Sequence, residues 1–156
     1  MFKPTASLKT LKPDPKYNSL LLAKFVNCLM WQGKKATAYR IVYDAFDQIK
    51  KRMPESDPLE VFSQAVENVK PPVELCSRRV GGATYQVPMQ VNPKRKQSLA
   101  FLWIIASARS KTGKAMYMRL ADELMAAYRR EGESMSKRDT TIKMADANKA
   151  FAHFAW

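Results

Sequence analysis

Basic side chains gather where this sequence should start its helices. Lys34-Lys35, Lys94-Arg95-Lys96 and Lys137-Arg138 each sit just before or within the first turn of an expected helix. The helix dipole disfavours cations there, by a few tenths to about one kcal/mol per exposed charge. The placement makes chemical sense if an outside phosphate occupies each start, where free backbone N–H groups and cationic side chains converge on it. The alternative is a solvated surface whose cost is screened by salt. A second constellation is Arg78-Arg79, with Tyr85 close by on a facing strand. Guanidinium and aromatic planes suit unpaired bases, which expose flat faces; the alternative is a cross-strand arginine–tyrosine pair serving only the strands. Lys12, Arg109, Lys111 and Lys114 complete the set of candidate nucleic-acid-binding residues.

The bulk charge points the same way. The chain has 156 residues and a net charge of +13, with a pI near 9.9. Such a field favours polyanions, nucleic acid first and an anionic membrane second. The longest apolar stretch, Leu99 to Ala108, is about half the ~20 residues a membrane helix needs, and no secretory signal is visible. The basic residues are spread over several helix starts and do not line one amphipathic face, so a membrane-surface protein fits poorly. Cys28 and Cys76 have no neighbouring thiol or histidine cluster and read as reduced thiols of an intracellular protein, without zinc.

Catalysis finds little support. His153 is the only histidine and stands among aromatics near the C-terminus. Asp44 with Asp47, Asp122 with Glu123, and Glu131 with Glu133 read as helix-surface or helix-end charges, and no carboxylate cluster has metal-site spacing. Ser77 lacks the context of a nucleophile. Lys111-Thr-Gly-Lys114 lacks the earlier glycine and the preceding strand of a phosphate-binding loop. The expectation is a non-enzyme with no cofactor and no metal.

The elements that position these residues are mainly helical. Residues 1–16 read as an extended basic arm, and 17–156 as one domain. Helix one is expected from about Ser19 to Trp31, stopped by Gly33, and helix two from Ala36 to Met53 on a stripe from Ala38 to Met53. Helix three begins with Asp57 as cap and Pro58 at the first position, and ends at Pro71-Pro72. Val73–Val91 alternates with a period of two around Gly81-Gly82 and reads as a β-hairpin. A three-residue loop, Gly81-Gly82-Ala83, would set Val73 against Val91, Leu75 against Met89, Arg79 beside Tyr85 and Arg78 beside Gln86, with the apolar residues on one face. A lone ribbon is marginal in water, so it must be tethered to the helical body or ordered by a partner. Asn92-Pro93 opens helix four, apolar nearly all round and hence expected at the centre. Helix five is expected over Ala115–Glu131. Ser136 with Asp139 resembles a capping box for helix six.

Several blocks, in order, resemble the bacterial-type family of small-subunit ribosomal protein seven. They are Pro13-Asp-Pro-Lys16, Lys24-Phe-Val-Asn27, Gly33-Lys-Lys35, Ala65-Val-Glu-Asn-Val69, Ser77-Arg-Arg-Val-Gly-Gly82, Thr84-Tyr-Gln-Val-Pro88 and Ala145-Asp-Ala-Asn-Lys-Ala-Phe-Ala-His153. The resemblance covers nearly the whole chain. It implies about six helices with a protruding two-stranded β-hairpin arm. It implies binding to the head domain of small-subunit ribosomal RNA, nucleation of head assembly, and a place near exit-site transfer RNA and the messenger exit path. Ribosomal proteins nine and eleven are the implied neighbours of a monomer on a bacterial cytoplasmic ribosome, with an organelle matrix as the other setting. The implied RNA-facing residues are Lys12, Lys34, Lys35, Arg78, Arg79, Lys94, Arg95 and Lys96. Two departures stand out: the chain begins Met-Phe-Lys-Pro-Thr where many members carry a run of arginines, and Ala155 stands where many have arginine. The competing reading is a DNA-bending architectural protein with a basic ribbon.

Overall fold

The starts of the first and third helices are written in their caps. In the computed structural model, which describes residues 11–154, α1 (Leu20–Leu29) is capped by Ser19, whose hydroxyl accepts from the Leu22 N–H at 3.3 Å. Asp57 caps α3 (Pro58–Val69) and Pro58 opens it, where a missing N–H costs nothing. Between them α2 (Lys35–Arg52) buries Ala38, Val42, Ala45, Phe46 and Ile49, a stripe with helical spacing. Phe25 of α1 meets Phe62 of α3 edge-on at 5.1 Å and Phe101 of α4 (Pro93–Ser110) at 5.3 Å. These rings are the centre of one core shared by all the helices.

The hub of that core is α5 (Met116–Tyr128), which packs against α2, α3, α4 and α6 (Glu133–Ala147). The expectation of a central, all-round buried fourth helix is corrected: Leu102 is 59% exposed, and Ala106 is exposed as well. Helix α4 buries one side through Leu99, Ala100, Phe101, Ile104, Ile105 and Ala108. Apolar composition alone does not say which face finds a partner.

Beyond α3 the chain forms a two-stranded antiparallel ribbon, β1 (Val73–Val80) and β2 (Ala83–Gln90). Its register corrects the sequence-based one. The loop has two residues, so Val80 faces Ala83, Arg78 faces Tyr85, Arg79 faces Thr84 and Leu75 faces Pro88. Gly81 and Gly82 both take positive φ, 59° and 89°, as a type I′ turn requires, and its twist matches that of the strands. Turn geometry therefore outweighed the pairing of apolar side chains. Val87 is buried and Tyr85 half-buried on the same ribbon face, and β2 rests on a C-terminal 3₁₀ helix (Lys149–Phe154). Tyr85 packs against Phe151 and Phe154, with centroids 5.0 and 5.4 Å away. The protein's own last turns thus supply the tether.

The first ten residues of the expected arm lie outside the described residues. Within the rest, Asp14 is buried. Its carboxylate accepts from the N–H groups of Lys16 (3.1 Å) and Tyr17 (2.9 Å) and from the Tyr43 hydroxyl (2.9 Å). Burial, with that hydrogen bond second, pushes the Tyr43 phenol well above its usual range. This turn fixes the segment that carries Lys12 to α2.

Candidate nucleic-acid interface

The start of α2 is open. Lys34 occupies the cap position without a side-chain hydrogen bond, and the first turn holds no acidic residue. Left-handed backbone at Gln32 and Gly33 (φ 52° and 74°) turns the chain from α1 into this start. Lys34 and Lys35 are both exposed, and the Lys35 ammonium lies 5.7 Å from the Tyr39 ring centre. Trp31, expected as the last residue of helix one, lies beyond the helix end and is 70% exposed. Arg109, from the last turn of α4, sets its guanidinium 4.6 Å from the centre of the Trp31 ring. Its Nη2 donates to the Leu29 carbonyl at 2.9 Å, satisfying one of the carbonyls left over at the end of α1. Trp31, Lys34 and Arg109 border a cleft of about 210 Å³ with apolar walls from α1, α2 and Met116.

The start of α4 is different. Asn92 accepts from the Arg95 N–H at 3.0 Å, so a side chain already serves this helix end. Arg95 grips Glu74 of β1 with two bonds, Nε to Oε2 at 3.0 Å and Nη2 to Oε1 at 2.6 Å. These hydrogen bonds, working against burial, hold the Glu74 carboxyl below its usual range. Arg95 therefore ties the ribbon base to α4, while Lys94 is exposed and Lys96 half-buried beside it. At 1.5 Å per residue, the two ends of this 18-residue helix lie about 25 Å apart. The basic surface accordingly has two centres, one at each end of α4.

The third expected phosphate site does not form as expected. Helix α6 begins at Glu133, with Gly132 at the cap position, so Ser136 and Asp139 are inside it and make no capping box. Lys137 and Arg138 fall in its second turn. The anion at this helix start is internal: Glu123, read from the sequence as a surface charge, is fully buried. Its Oε1 accepts from the Ser134 N–H (2.9 Å) and hydroxyl (2.7 Å), and its Oε2 receives the Lys111 ammonium at 2.6 Å. Lys137 bonds Glu133 at 2.9 Å and the Ser107 hydroxyl at 3.2 Å. The Arg138 Nε is buried without a hydrogen-bond partner. Lys114 is 3.4 Å from Asp122.

On the ribbon, Arg79 is exposed, Arg78 is half-buried opposite Tyr85, and the Tyr85 ring is occupied by Phe151 and Phe154. Lys12 is exposed ahead of the Asp14 turn. No helix among the described residues is long and apolar enough to cross a membrane. An open, lysine-flanked helix start, a basic ribbon and a closed helical core thus occur in one chain.

The model of the family described as ribosomal protein S7p/S5e matches residues 3–149. The chain belongs to that family. The protein named small ribosomal subunit protein uS7 from Rhodopirellula baltica is 57% identical over 153 residues, covering 97% of this chain and 98% of its own. Proteins of the same name from Pseudothermotoga lettingae and Thermotoga neapolitana are 53% and 54% identical over 151 residues, with 97% of each chain covered. The S7 family is structural and non-enzymatic. His153 is exposed on the C-terminal 3₁₀ turn: its ring lies 4.0 Å from that of Phe154, and Nδ1 is 2.9 Å from the Ala150 carbonyl. Among the described residues no group of three His, Cys, Asp or Glu could hold a metal ion. Membership of the S7 family also removes the ground for the DNA-bending alternative.

Sequence reasoning missed Trp31, Glu123 and Asp14. A tryptophan immediately before Gln-Gly-Lys-Lys was a usable signal, since a helix that must stop near glycine leaves its last aromatic outside. Asp14 between two prolines was another, because aspartate readily closes a local turn onto backbone N–H groups. Glu123 carried no such signal.

Proposed function

We propose that this chain is a structural protein of the small ribosomal subunit that binds the subunit's ribosomal RNA directly. The observation that carries RNA binding is the start of α2, where two exposed lysines flank a helix end with neither an acidic residue nor a side-chain cap. Free N–H groups and lysine ammoniums there suit a phosphate. Lys94 and Lys96 at the far end of α4, and Arg79 on the ribbon, extend the surface that an RNA of matching shape would cover. Arg95 and Lys111 act one step back, holding the ribbon and the α4–α5 connection in place.

The family resemblance extends this reading. The RNA is the head domain of small-subunit ribosomal RNA, and binding nucleates assembly of the head. The chain lies near exit-site transfer RNA and the messenger exit path, as a monomer beside ribosomal proteins nine and eleven, on a bacterial cytoplasmic ribosome.

The test is affinity at fixed salt for head-domain RNA and for an unrelated structured RNA of equal length. Tighter binding to the head-domain RNA is expected. Reconstituting subunits without the chain should leave the head unassembled. Equal affinity for both RNAs, with head assembly unaffected by omission, would overturn the proposal.

A further inference from the structure

Trp31 is an unusual residue to leave in water. It is 70% exposed, yet its ring is not loose: Arg109 lies 4.6 Å from its centre and is itself anchored by the 2.9 Å bond to the Leu29 carbonyl. The guanidinium covers one face of the indole, and the high exposure leaves the other to solvent. A ring held this way pays little conformational entropy when a flat partner stacks on it. The cleft beside it, about 210 Å³, has Lys34 at its rim and apolar walls from Met30, Ile41 and Met116. A mostly apolar cleft with an exposed indole and two cations at its lining is complementary to a flat ligand that carries negative charge.

We propose that Trp31 is a stacking platform for one unpaired nucleobase of the bound RNA, with the phosphate of that nucleotide met by Lys34. This rests on the proposed RNA binding and names the part of the RNA that this region takes. The sandwich would be Arg109, Trp31 and base in sequence, the cation polarising the ring from behind. The charge around the cleft favours this occupant over an apolar peptide. Stacking is tolerant of base identity, because every base has a π-face, so the platform selects an unstacked nucleotide by its geometry.

The experiment uses the full chain with small-subunit ribosomal RNA and follows tryptophan emission, corrected for RNA absorbance, alongside affinity. Stacking quenches an indole. The parent should lose emission on binding, and Trp31→Phe should show a much smaller change while retaining most of the affinity. Trp31→Leu should bind roughly 5- to 150-fold more weakly, the range for losing one base–aromatic stack. Thermal melting of each variant checks that the exposed substitution leaves the fold intact. Tight binding by Trp31→Leu, with the emission change of the parent, would overturn the platform and leave RNA binding standing. Loss of association with another subunit protein, with RNA affinity unchanged, would overturn it too and make the cleft a protein-docking surface. Failure of the parent to bind RNA at all would instead overturn the proposed function, and this inference with it.

Discussion

Arg95 and Glu74, 21 residues apart, form a two-point guanidinium–carboxylate pair that joins the first turn of α4 to the base of β1. A cation that sequence reasoning assigned to an outside phosphate is thus answered from inside the chain. Both side chains remain partly exposed, at 55% and 26%, so solvent screening limits the energy to about 0.5–1 kcal/mol. Arg95→Gln should lower stability by about that much, while Lys94→Gln and Lys96→Gln leave the melting temperature unchanged or slightly raised, since each removes a cation from a helix start. Thermal melting of the three single variants decides it.

The same pair makes stability respond to acid. Glu74 has a folded pKa depressed by its hydrogen bonds to Arg95. Its contribution is therefore complete above the unfolded value of about 4.3 and is lost as pH falls through the lower folded value. Melting curves of the parent and of Glu74→Gln should converge as pH drops below about 4. A difference that persists unchanged at low pH would show that the pair is not its source.

Glu123 and Lys111 differ in kind from the surface pairs. Glu123 is completely buried and serves the start of α6 as well as Lys111. Lys111→Met should cost about 3 kcal/mol, because it strands a buried carboxylate. Lys114→Met, which removes a weak contact to Asp122 at an exposed site, should cost less than about 0.5 kcal/mol. Chemical denaturation of both variants measures the contrast. Gly132 belongs to the same unit: φ is +96°, and a Cβ there would meet Ala126 Cβ at 3.0 Å and Glu123 Oε1 at 3.1 Å. Gly132→Ala should destabilise by more than about 1 kcal/mol.

Salt dependence gauges how many cations meet phosphate. Lys12, Lys34, Lys35, Arg79, Lys94 and Lys96 make no ion pair among the described residues. If about six phosphates are neutralised, affinity for RNA should fall with a log–log slope of roughly −4 to −5.5. Lys34→Gln with Lys35→Gln should reduce that slope by about 1.5. The loss should be similar on cognate and unrelated structured RNA, because phosphates carry no sequence. Filter binding across a salt series supplies the slopes, and a slope near zero would exclude phosphate contacts as the source of affinity.

The ribbon depends on the C-terminal turn. Tyr85→Ala removes the ring that packs on Phe151 and Phe154, so amide exchange across β1 and β2 should accelerate while α2, α3 and α5 stay protected. Equal protection in both proteins would mean that the ribbon is ordered without the Tyr85 ring, by its strand pairing and by its base contacts such as Arg95 with Glu74.

The sequence by itself determined the helices, the ribbon and the net positive charge that favours polyanions. Those properties are local or summed: apolar spacing in α2, Asp57-Pro58 before α3, Gly81-Gly82 in the turn, and net charge over the whole chain. It did not determine which cations were free, because the partner of a charged side chain can lie anywhere in the chain. Arg95 meets Glu74, Lys111 meets Glu123, and Arg109 reaches Leu29 across 80 residues and covers Trp31 beside it. Register was decided by two glycines adopting positive φ, which a side-chain pattern does not encode. Helix periodicity put Glu123 beside Asp122 on a helix of mixed faces, and only the packing of α6 against α5 turned one carboxylate inward as a cap while leaving the other near solvent.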